Sequence, residues 1–167
     1  FRRVLFRSGG LVLVMTRLNR ILEIDTDNLI ARVEPGVVTG VFQQAVAEKG
    51  LLYPPDPSSA DFSTLGGNVA ECAGGPKAVK YGVTRDYVLG LEVVLPTGET
   101  VHTGVKTAKG VVGYDLTRLL TGSEGTLAIV TKIILRLIPL PKVQIDLLVP
   151  YDDFQAGKLG RIPALHA

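Results

Sequence analysis

The chain has 167 residues, of which 46% are apolar and 20% are charged. This length fits one domain of ordinary size, and this composition excludes a disordered chain. The net charge is only +2, and the 19 glycines follow no Gly-X-Y period, so we expect neither a nucleic-acid-binding surface nor a collagen-like rod.

The first residues are predicted to lie outside the fold. Phe1–Ser8 is basic and lacks an initiator methionine, which is typical of a non-native leader. Leu11–Met15 is an apolar run that predicts a short buried strand. Two further apolar runs, Ile21–Ile24 and Leu29–Val33, flank the polar turn Asp25–Asn28, and this pattern predicts a β-hairpin.

A helix is predicted after the hairpin. Thr39 can cap a helix over Gly40–Lys49, and Gly50 suits its left-handed C-terminus. The loop Pro54–Ser59 follows, in which three prolines forbid regular structure.

A second helix is predicted to begin at Ser63 and to run through Glu71, in spite of two internal glycines. Gly74–Pro76 is expected to end it. A strand over Tyr87–Leu95 and a return strand over Thr100–Thr103 come next.

The last predicted elements alternate between helix and strand. Asp115 can cap a short helix over Leu116–Leu120, and Thr126–Leu137 is a long strand that ends at prolines. Val143–Val149 is predicted as one more strand. The element order lacks regular βαβ alternation, so the fold class is predicted to be α+β, with a mostly antiparallel sheet flanked by helices.

Cysteine usage and hydropathy bear on the compartment. Cys72 is the single cysteine, so no internal disulfide can form, as expected of a reducing compartment. No apolar run reaches the ~18 residues of a membrane span. We therefore expect a cytoplasmic protein with no membrane span and no nucleic-acid partner.

Standard catalytic signatures are missing from the sequence. It contains no NTPase phosphate loop, no Gly-x-Gly-x-x-Gly after a strand, no zinc ligands at recognised spacing and no Gly-x-Ser-x-Gly elbow to pair with His102. No metal site is predicted.

Three polar, glycine-rich loops are the main candidates for ligand binding: Pro54–Ser59, Gly66–Gly75 and Gly122–Gly125. Such loops can present bare backbone N–H groups at close range, and a helix that begins at Ser63 would add free donors. This pattern indicates a ligand with phosphates and a large planar part. Each loop taken alone can also be a tight turn without a ligand.

The order and spacing of the motifs carry a resemblance. They occupy Pro55–Ser59, Thr64–Gly75, Tyr81–Asp86, Leu91–Glu99 and Leu120–Thr131. Together they resemble the FAD-linked oxidases of the vanillyl-alcohol oxidase/p-cresol methylhydroxylase superfamily, in the group that contains glycolate oxidase and D-lactate dehydrogenase. The resemblance implies the p-cresol methylhydroxylase type of FAD-binding domain, mainly its second subdomain, with FAD as the cofactor.

The resemblance also implies which residues contact FAD. The segment Ser58–Thr64 would run along the cofactor, Glu71–Gly74 would lie near its ring end, and Glu124–Val130 would wrap the adenosine. The full implied set is Pro57, Ser58, Ser59, Thr64, Gly66, Gly67, Asn68, Glu71, Cys72, Ala73, Gly74, Gly75, Tyr81, Gly82, Val83, Glu124, Gly125, Thr126, Leu127, Ala128, Ile129 and Val130.

The sequence departs from the family at both ends. The domain is predicted over 9–141 without the family's pyrophosphate loop, and 142–167 is predicted as the start of a truncated substrate-binding cap or as a tail. The catalytic residues would lie outside this chain.

The resemblance implies hydride transfer from a D-2-hydroxy acid to flavin N5, with electron-transfer subunits as partners and peripheral contact with the inner membrane through them. One alternative is a non-redox transferase of the alkyl-dihydroxyacetone-phosphate synthase type, and another is a catalytically inactive fragment.

Overall fold

Antiparallel strands form the centre of the structure, a computed structural model that describes residues 12–104, 113–143 and 145. Five strands form one sheet in the order β1-β2-β6-β4-β5, and β3 pairs with β7 in a two-stranded sheet. The strands are β1 (Ile21–Asp25), β2 (Ile30–Val33), β3 (Leu51–Leu52), β4 (Val88–Val94), β5 (Thr100–Gly104), β6 (Ile129–Arg136) and β7 (Ile138–Pro139). The predicted α+β class with a mostly antiparallel sheet is confirmed.

The helices are short and connect the strands. They are α1 (Thr39–Ala47), α2 (Leu65–Glu71), α3 (Ala78–Tyr81), a 3₁₀ turn (Thr84–Asp86) and α4 (Leu116–Leu120). Among the described residues, no helix is long and apolar enough to cross a membrane.

The core lies between one face of the large sheet and the helices. Leu91 on β4 and Ile133 on β6 are neighbours in register, and both are buried. Phe42 of α1 packs edge-on against Tyr53, with ring centroids 5.2 Å apart, and both rings are fully buried. Burial raises the pKa of the Tyr53 hydroxyl above its ordinary value.

The opposite face of the sheet is charged. Glu92 of β4 accepts hydrogen bonds from Lys132 Nζ at 2.7 Å and His102 Nε2 at 3.0 Å. These bonds, led by that of Lys132, hold the pKa of the Glu92 carboxyl below its ordinary value. His102 therefore lies in a hydrogen-bonded cluster around Glu92, on the side of the sheet away from the core.

Local sequence signals predicted several elements correctly. The β1–β2 hairpin forms as expected, and its turn is held by Asp25, whose carboxylate accepts from the backbone N–H of Asn28 at 2.9 Å. Gly50 adopts the left-handed conformation (φ +72°) after α1. Asp115 caps α4 and accepts from the Arg118 amide at 2.9 Å.

Two predicted helix caps are wrong. Thr39 is the first residue of α1 rather than its cap, because its hydroxyl donates to the Ser63 carbonyl at 3.0 Å. The cap of α2 is Thr64, whose hydroxyl accepts from the Gly67 amide, whereas Ser63 lies one residue earlier.

The strand predicted over Leu11–Met15 does not form in its described part. Residues 12–15 belong to no element, and Val12, Leu13 and Val14 are exposed by 51%, 57% and 65%. Leu13 and Met15 instead line a cavity, a role that an apolar run alone does not distinguish from a strand. The predicted strand Val143–Val149 lies almost entirely outside the described residues, as do the predicted leader and the residues after 145.

Ion pairing at the end of β2 leads to a first prediction. Glu34 is 2% exposed and accepts from Arg20 Nη2 at 2.7 Å and from the Arg20 backbone amide at 2.8 Å. These hydrogen bonds hold the pKa of Glu34 below its ordinary value. We expect Arg20→Met to destabilise the fold more than Glu34→Gln. Only Arg20→Met leaves the buried Glu34 carboxylate without the hydrogen bonds that the arginine side chain donates to it.

The pH dependence of this effect has a defined sign. Because the pKa of folded Glu34 is depressed, its stabilisation is fully present above the ordinary carboxyl pKa and is lost as the pH falls through the depressed value. Urea unfolding from pH 7 down to pH 3 should show wild type and Arg20→Met converging at acid pH. A difference in the free energy of unfolding that stays constant across this pH range would contradict the assignment of the effect to the Glu34 carboxylate.

Candidate functional site

Two of the three glycine-rich loops are bonded directly to each other. The backbone amide of Gly122 donates to the Val69 carbonyl at 2.8 Å, and that of Glu124 donates to the Ala70 carbonyl at 2.9 Å. Both acceptors lie in the second half of α2. The loop Gly122–Gly125 is therefore fixed against the helix that carries Gly66 and Gly67.

The third glycine-rich or proline-rich loop, Pro54–Ser59, is held from two sides. The Pro55 carbonyl accepts from Gln43 Nε2 of α1 at 2.8 Å, and the Asp56 carboxylate accepts from the Lys77 amide at 3.2 Å. Gly75 packs so closely on the Asp56 backbone that no Cβ would fit there. All three predicted loops thus belong to one assembly.

A cavity of about 260 Å³ opens between α2, the Gly122–Gly125 loop and the start of β6. Its lining residues are Leu13, Met15, Pro35, Thr64, Gly66, Gly67, Ala70, Leu120, Ser123, Gly125, Ala128, Ile129 and Val130. None of these side chains carries a charge. The cavity is therefore suited to a largely uncharged group rather than to a phosphate.

The glycines of the cavity wall are of two kinds. A Cβ on Gly66 would lie 2.5 Å from Pro35 Cβ, so the fold itself requires glycine there. A Cβ on Gly67 would meet only the Thr64 hydroxyl oxygen, at 3.4 Å, and one on Gly125 would meet nothing within 4 Å. Gly67 therefore leaves open wall that packing within the described chain does not explain, whereas Gly125 adopts φ +72°, a backbone conformation that by itself favours glycine.

The free amides predicted at the start of α2 are not available. The amides of Leu65–Asn68 donate to the carbonyls of Val37, Pro35 and Thr64 and to the Thr64 hydroxyl. The expectation of an anion site at a helix beginning with Ser63 is therefore wrong, because the cap residue Thr64 and the distant segment Pro35–Val37 already satisfy these donors.

Asn68 occupies an internal position. Its side chain is buried and donates from Nδ2 to the Thr39 hydroxyl at 2.8 Å. Thr39 in turn is bonded to Ser63 through its amide, at 2.9 Å, and its hydroxyl. The side chain of Asn68 thus ties α2 to the start of α1.

The predicted ring-end segment Glu71–Gly74 and the predicted contacts Tyr81–Val83 lie near the end of α2, and none of these residues lines the cavity. Cys72 ends the helix in the left-handed conformation (φ +52°), which is uncommon for a residue other than glycine. The Ala73 carbonyl accepts from the Thr84 amide at 3.0 Å, and the Tyr81 carbonyl accepts from the Tyr87 hydroxyl at 2.7 Å. Gly82 turns the chain with φ +87°.

The predicted contact set and the cavity overlap in part. The residues common to both are Thr64, Gly66, Gly67, Gly125, Ala128, Ile129 and Val130. The cavity residues outside the predicted set are Leu13, Met15, Pro35, Ala70, Leu120 and Ser123. Of these, Ala70, Leu120 and Ser123 lie within the motifs that carried the resemblance, so proximity in sequence was a usable signal for them.

Comparisons with known proteins agree on one family. Residues 2–104 match the family described as an FAD binding domain. The glycolate oxidase subunit GlcD of Bacillus subtilis is 57% identical over 150 residues, covering 90% of this chain and 32% of that protein. D-lactate dehydrogenase of Anaerostipes hadrus is 48% identical over 148 residues, covering 89% of this chain and 31% of that protein.

A solved structure has the same fold. An alkyldihydroxyacetonephosphate synthase superposes with a TM-score of 0.66 at 30% identity, covering 77% of this chain and 23% of that one. The D-2-hydroxyglutarate dehydrogenase of Stutzerimonas stutzeri is 38% identical over 160 residues, or 96% of this chain and 34% of that protein. The chain thus spans about a third of the length of these curated relatives.

Proposed function

This chain belongs to the FAD-binding domain family, and from that premise we propose that it forms the FAD-binding part of a flavin-dependent oxidoreductase acting on a D-2-hydroxy acid. The substrate class is supported by the names of the relatives, which specify glycolate, D-lactate and D-2-hydroxyglutarate. Each of these compounds carries a hydroxyl group beside a carboxylate.

The observation that carries the cofactor assignment is the cavity wall. Gly67 and Gly125 present bare backbone to a space of about 260 Å³ whose lining is apolar and uncharged. Such a surface accepts a flat heterocycle at van der Waals distance. The resemblance assigned Glu124–Val130 to adenosine, and three residues of that segment besides Gly125 line this cavity. We therefore place the adenosine end of FAD here.

The chain would bind and orient the cofactor, while the flavin, when bound, would supply the hydride-accepting chemistry. Ala128–Val130 and Ala70 would exclude water from the adenosine face. The amides of Gly122 and Glu124, bonded to α2, would hold the loop at a fixed distance from that helix. The described cavity has no charged side chain in its lining that would neutralise the diphosphate.

A competition experiment tests the assignment. We expect the purified chain to bind FAD, followed by quenching of flavin fluorescence, and ADP to displace it. FMN, which lacks the adenosine, should displace FAD poorly. Absence of FAD binding would contradict the proposal. Displacement by FMN but not by ADP would show that the cavity binds the flavin end of FAD rather than the adenosine end.

A second candidate function is a non-redox transferase of the alkyldihydroxyacetonephosphate synthase type. It is favoured by the solved structure of an alkyldihydroxyacetonephosphate synthase, which shares the fold at a TM-score of 0.66. The segment Asn68–Glu71, after Gly66-Gly67, favours the hydroxy-acid group instead. Dye reduction by a panel of D-2-hydroxy acids, measured on a chain of the relatives' full length that carries this segment, separates the two. These 167 residues alone are expected to show negligible turnover.

A further inference from the structure

Residues 12–15 border the cavity, and alternate residues of this segment line it. Leu13 and Met15 belong to the lining, whereas Val12 and Val14 do not. Although Leu13 lines the cavity, 57% of its surface is exposed. An apolar side chain that borders a cavity and is still more than half exposed has surface that a ligand can cover, and removing that surface from water is favourable.

The backbone fixes this segment against the rest of the cavity wall. The Gly36 amide donates to the Leu18 carbonyl at 2.6 Å, and the Leu18 amide donates to the Met15 carbonyl at 3.0 Å. A Cβ on Gly36 would lie 2.6 Å from both of these carbonyl oxygens, so only glycine permits this approach. The neighbouring Pro35 lines the cavity and packs against Gly66. Met15 is thus tied through its backbone to the segment that packs on the glycine wall.

The two side chains suit contact with an uncharged heterocycle. Met15 has an unbranched, polarisable thioether, which makes favourable contacts with aromatic rings, and Leu13 adds aliphatic surface. The hydroxyl of Thr64, a polar group of the lining, already accepts from the Gly67 amide at 3.3 Å. Apolar contact therefore contributes more to binding in this cavity than charge does.

We propose that Leu13 and Met15 are binding residues that pack against the adenine of FAD. This inference rests on the proposed function, which places the adenosine end of the cofactor in this cavity. The two side chains contact the base and lose water-exposed surface when the cofactor binds. They contribute to affinity, whereas Val12 and Val14, on the same segment, do not.

Alanine variants along the segment test this alternation. Titrations of the 167-residue chain with FAD and with ADP should show Leu13→Ala and Met15→Ala each weakening both ligands about five- to tenfold, because each variant removes apolar surface that the adenine covers. Val12→Ala and Val14→Ala are the matched controls and should leave both affinities at the wild-type value. Met15→Leu conserves the volume and should keep most of the affinity, so it serves as the comparison where Met15→Ala does not fold.

The thioether of Met15 offers a second readout that needs no substitution. Met15 is the single methionine of the chain, so its oxidation to the sulfoxide by hydrogen peroxide can be followed by mass spectrometry on the tryptic peptide 8–17. Bound ADP should slow this oxidation in proportion to the fraction of protein that carries it, because the adenine covers the sulfur. FMN, which has no adenine, should leave the rate unchanged.

The outcomes separate this inference from the proposed function. Unchanged affinity in both alanine variants, while the wild-type chain binds FAD and ADP, would refute the role of Leu13 and Met15 and leave the proposed function standing. Tighter binding by these variants would also refute it, because the side chains would then obstruct the cavity. Oxidation of Met15 at the same rate with and without bound ADP would exclude contact with the adenine. If the wild-type chain binds neither FAD nor ADP, the proposed function itself fails.

Discussion

Alanine at Gly66 is expected to disrupt the fold, whereas alanine at Gly67 is expected to stabilise it and to weaken FAD binding. At Gly66 the new Cβ would lie 2.5 Å from Pro35 Cβ and 2.9 Å from the Pro35 carbonyl oxygen. Both belong to a rigid segment that follows β2, so neither can move aside cheaply. We expect a loss of about 3 kcal/mol, at the upper end of the usual cost of an overpacked site.

Gly67 lies one residue further along α2 and has open space in place of Pro35. Its Cβ would meet only the Thr64 hydroxyl oxygen at an ordinary contact distance of 3.4 Å. Alanine within a helix is favoured over glycine by about 0.5–1 kcal/mol, so the unliganded chain should become more stable. The added methyl group would occupy the cavity wall, and FAD affinity should fall at least tenfold, or by about 1.4 kcal/mol.

Urea unfolding without ligand and FAD titration of the same three proteins provide the measurements. The opposite signs of the two effects at Gly67 separate a functional glycine from a structural one. If the Gly67→Ala variant binds FAD as tightly as wild type, the cavity is not part of the FAD-binding site. A Gly66→Ala variant with unchanged stability would contradict the contact with Pro35.

The contrast between these two glycines also shows how far the sequence predicts the site. Both occur in the same motif, and sequence alone assigns both to the ligand. Only the tertiary contact of Gly66 with Pro35, which lies 31 residues earlier, distinguishes them. The same holds for the amides at the start of α2, whose acceptors Val37 and Pro35 come from a distant segment.

The elements that the sequence predicts correctly are those held by local bonds. The β1–β2 turn depends on Asp25 and Asn28, and the α4 cap depends on Asp115 and Arg118, which are three residues apart in each case. The sequence does not predict the pairing of Leu51–Leu52 with Ile138–Pro139, because a two-residue strand has no periodicity of its own. Contacts with distant residues also decide that Leu13 and Met15 line a cavity rather than form a strand.

Loss of the Thr39 hydroxyl is expected to affect both the fold and the site. This hydroxyl is fully buried, accepts from Asn68 Nδ2 at 2.8 Å and donates to the Ser63 carbonyl at 3.0 Å. In Thr39→Val the shape is conserved, but the Asn68 amide is left without that acceptor inside the core. We expect a loss of about 2–4 kcal/mol, since an unsatisfied buried donor costs about 1–3 kcal/mol beyond the hydrogen bond to Ser63.

Thr39→Ser is the control, because it removes only the methyl group and keeps the hydroxyl; it should cost about 1 kcal/mol. The network joins α1 to α2 at Asn68, immediately after Gly66 and Gly67, so loosening it changes the position of the cavity wall. FAD affinity of Thr39→Val should therefore fall in conditions where the variant is still fully folded, and that of Thr39→Ser should remain near wild type. Equal stability of the two variants would show that the hydroxyl is dispensable, and equal FAD affinity would show that the wall is positioned by packing alone.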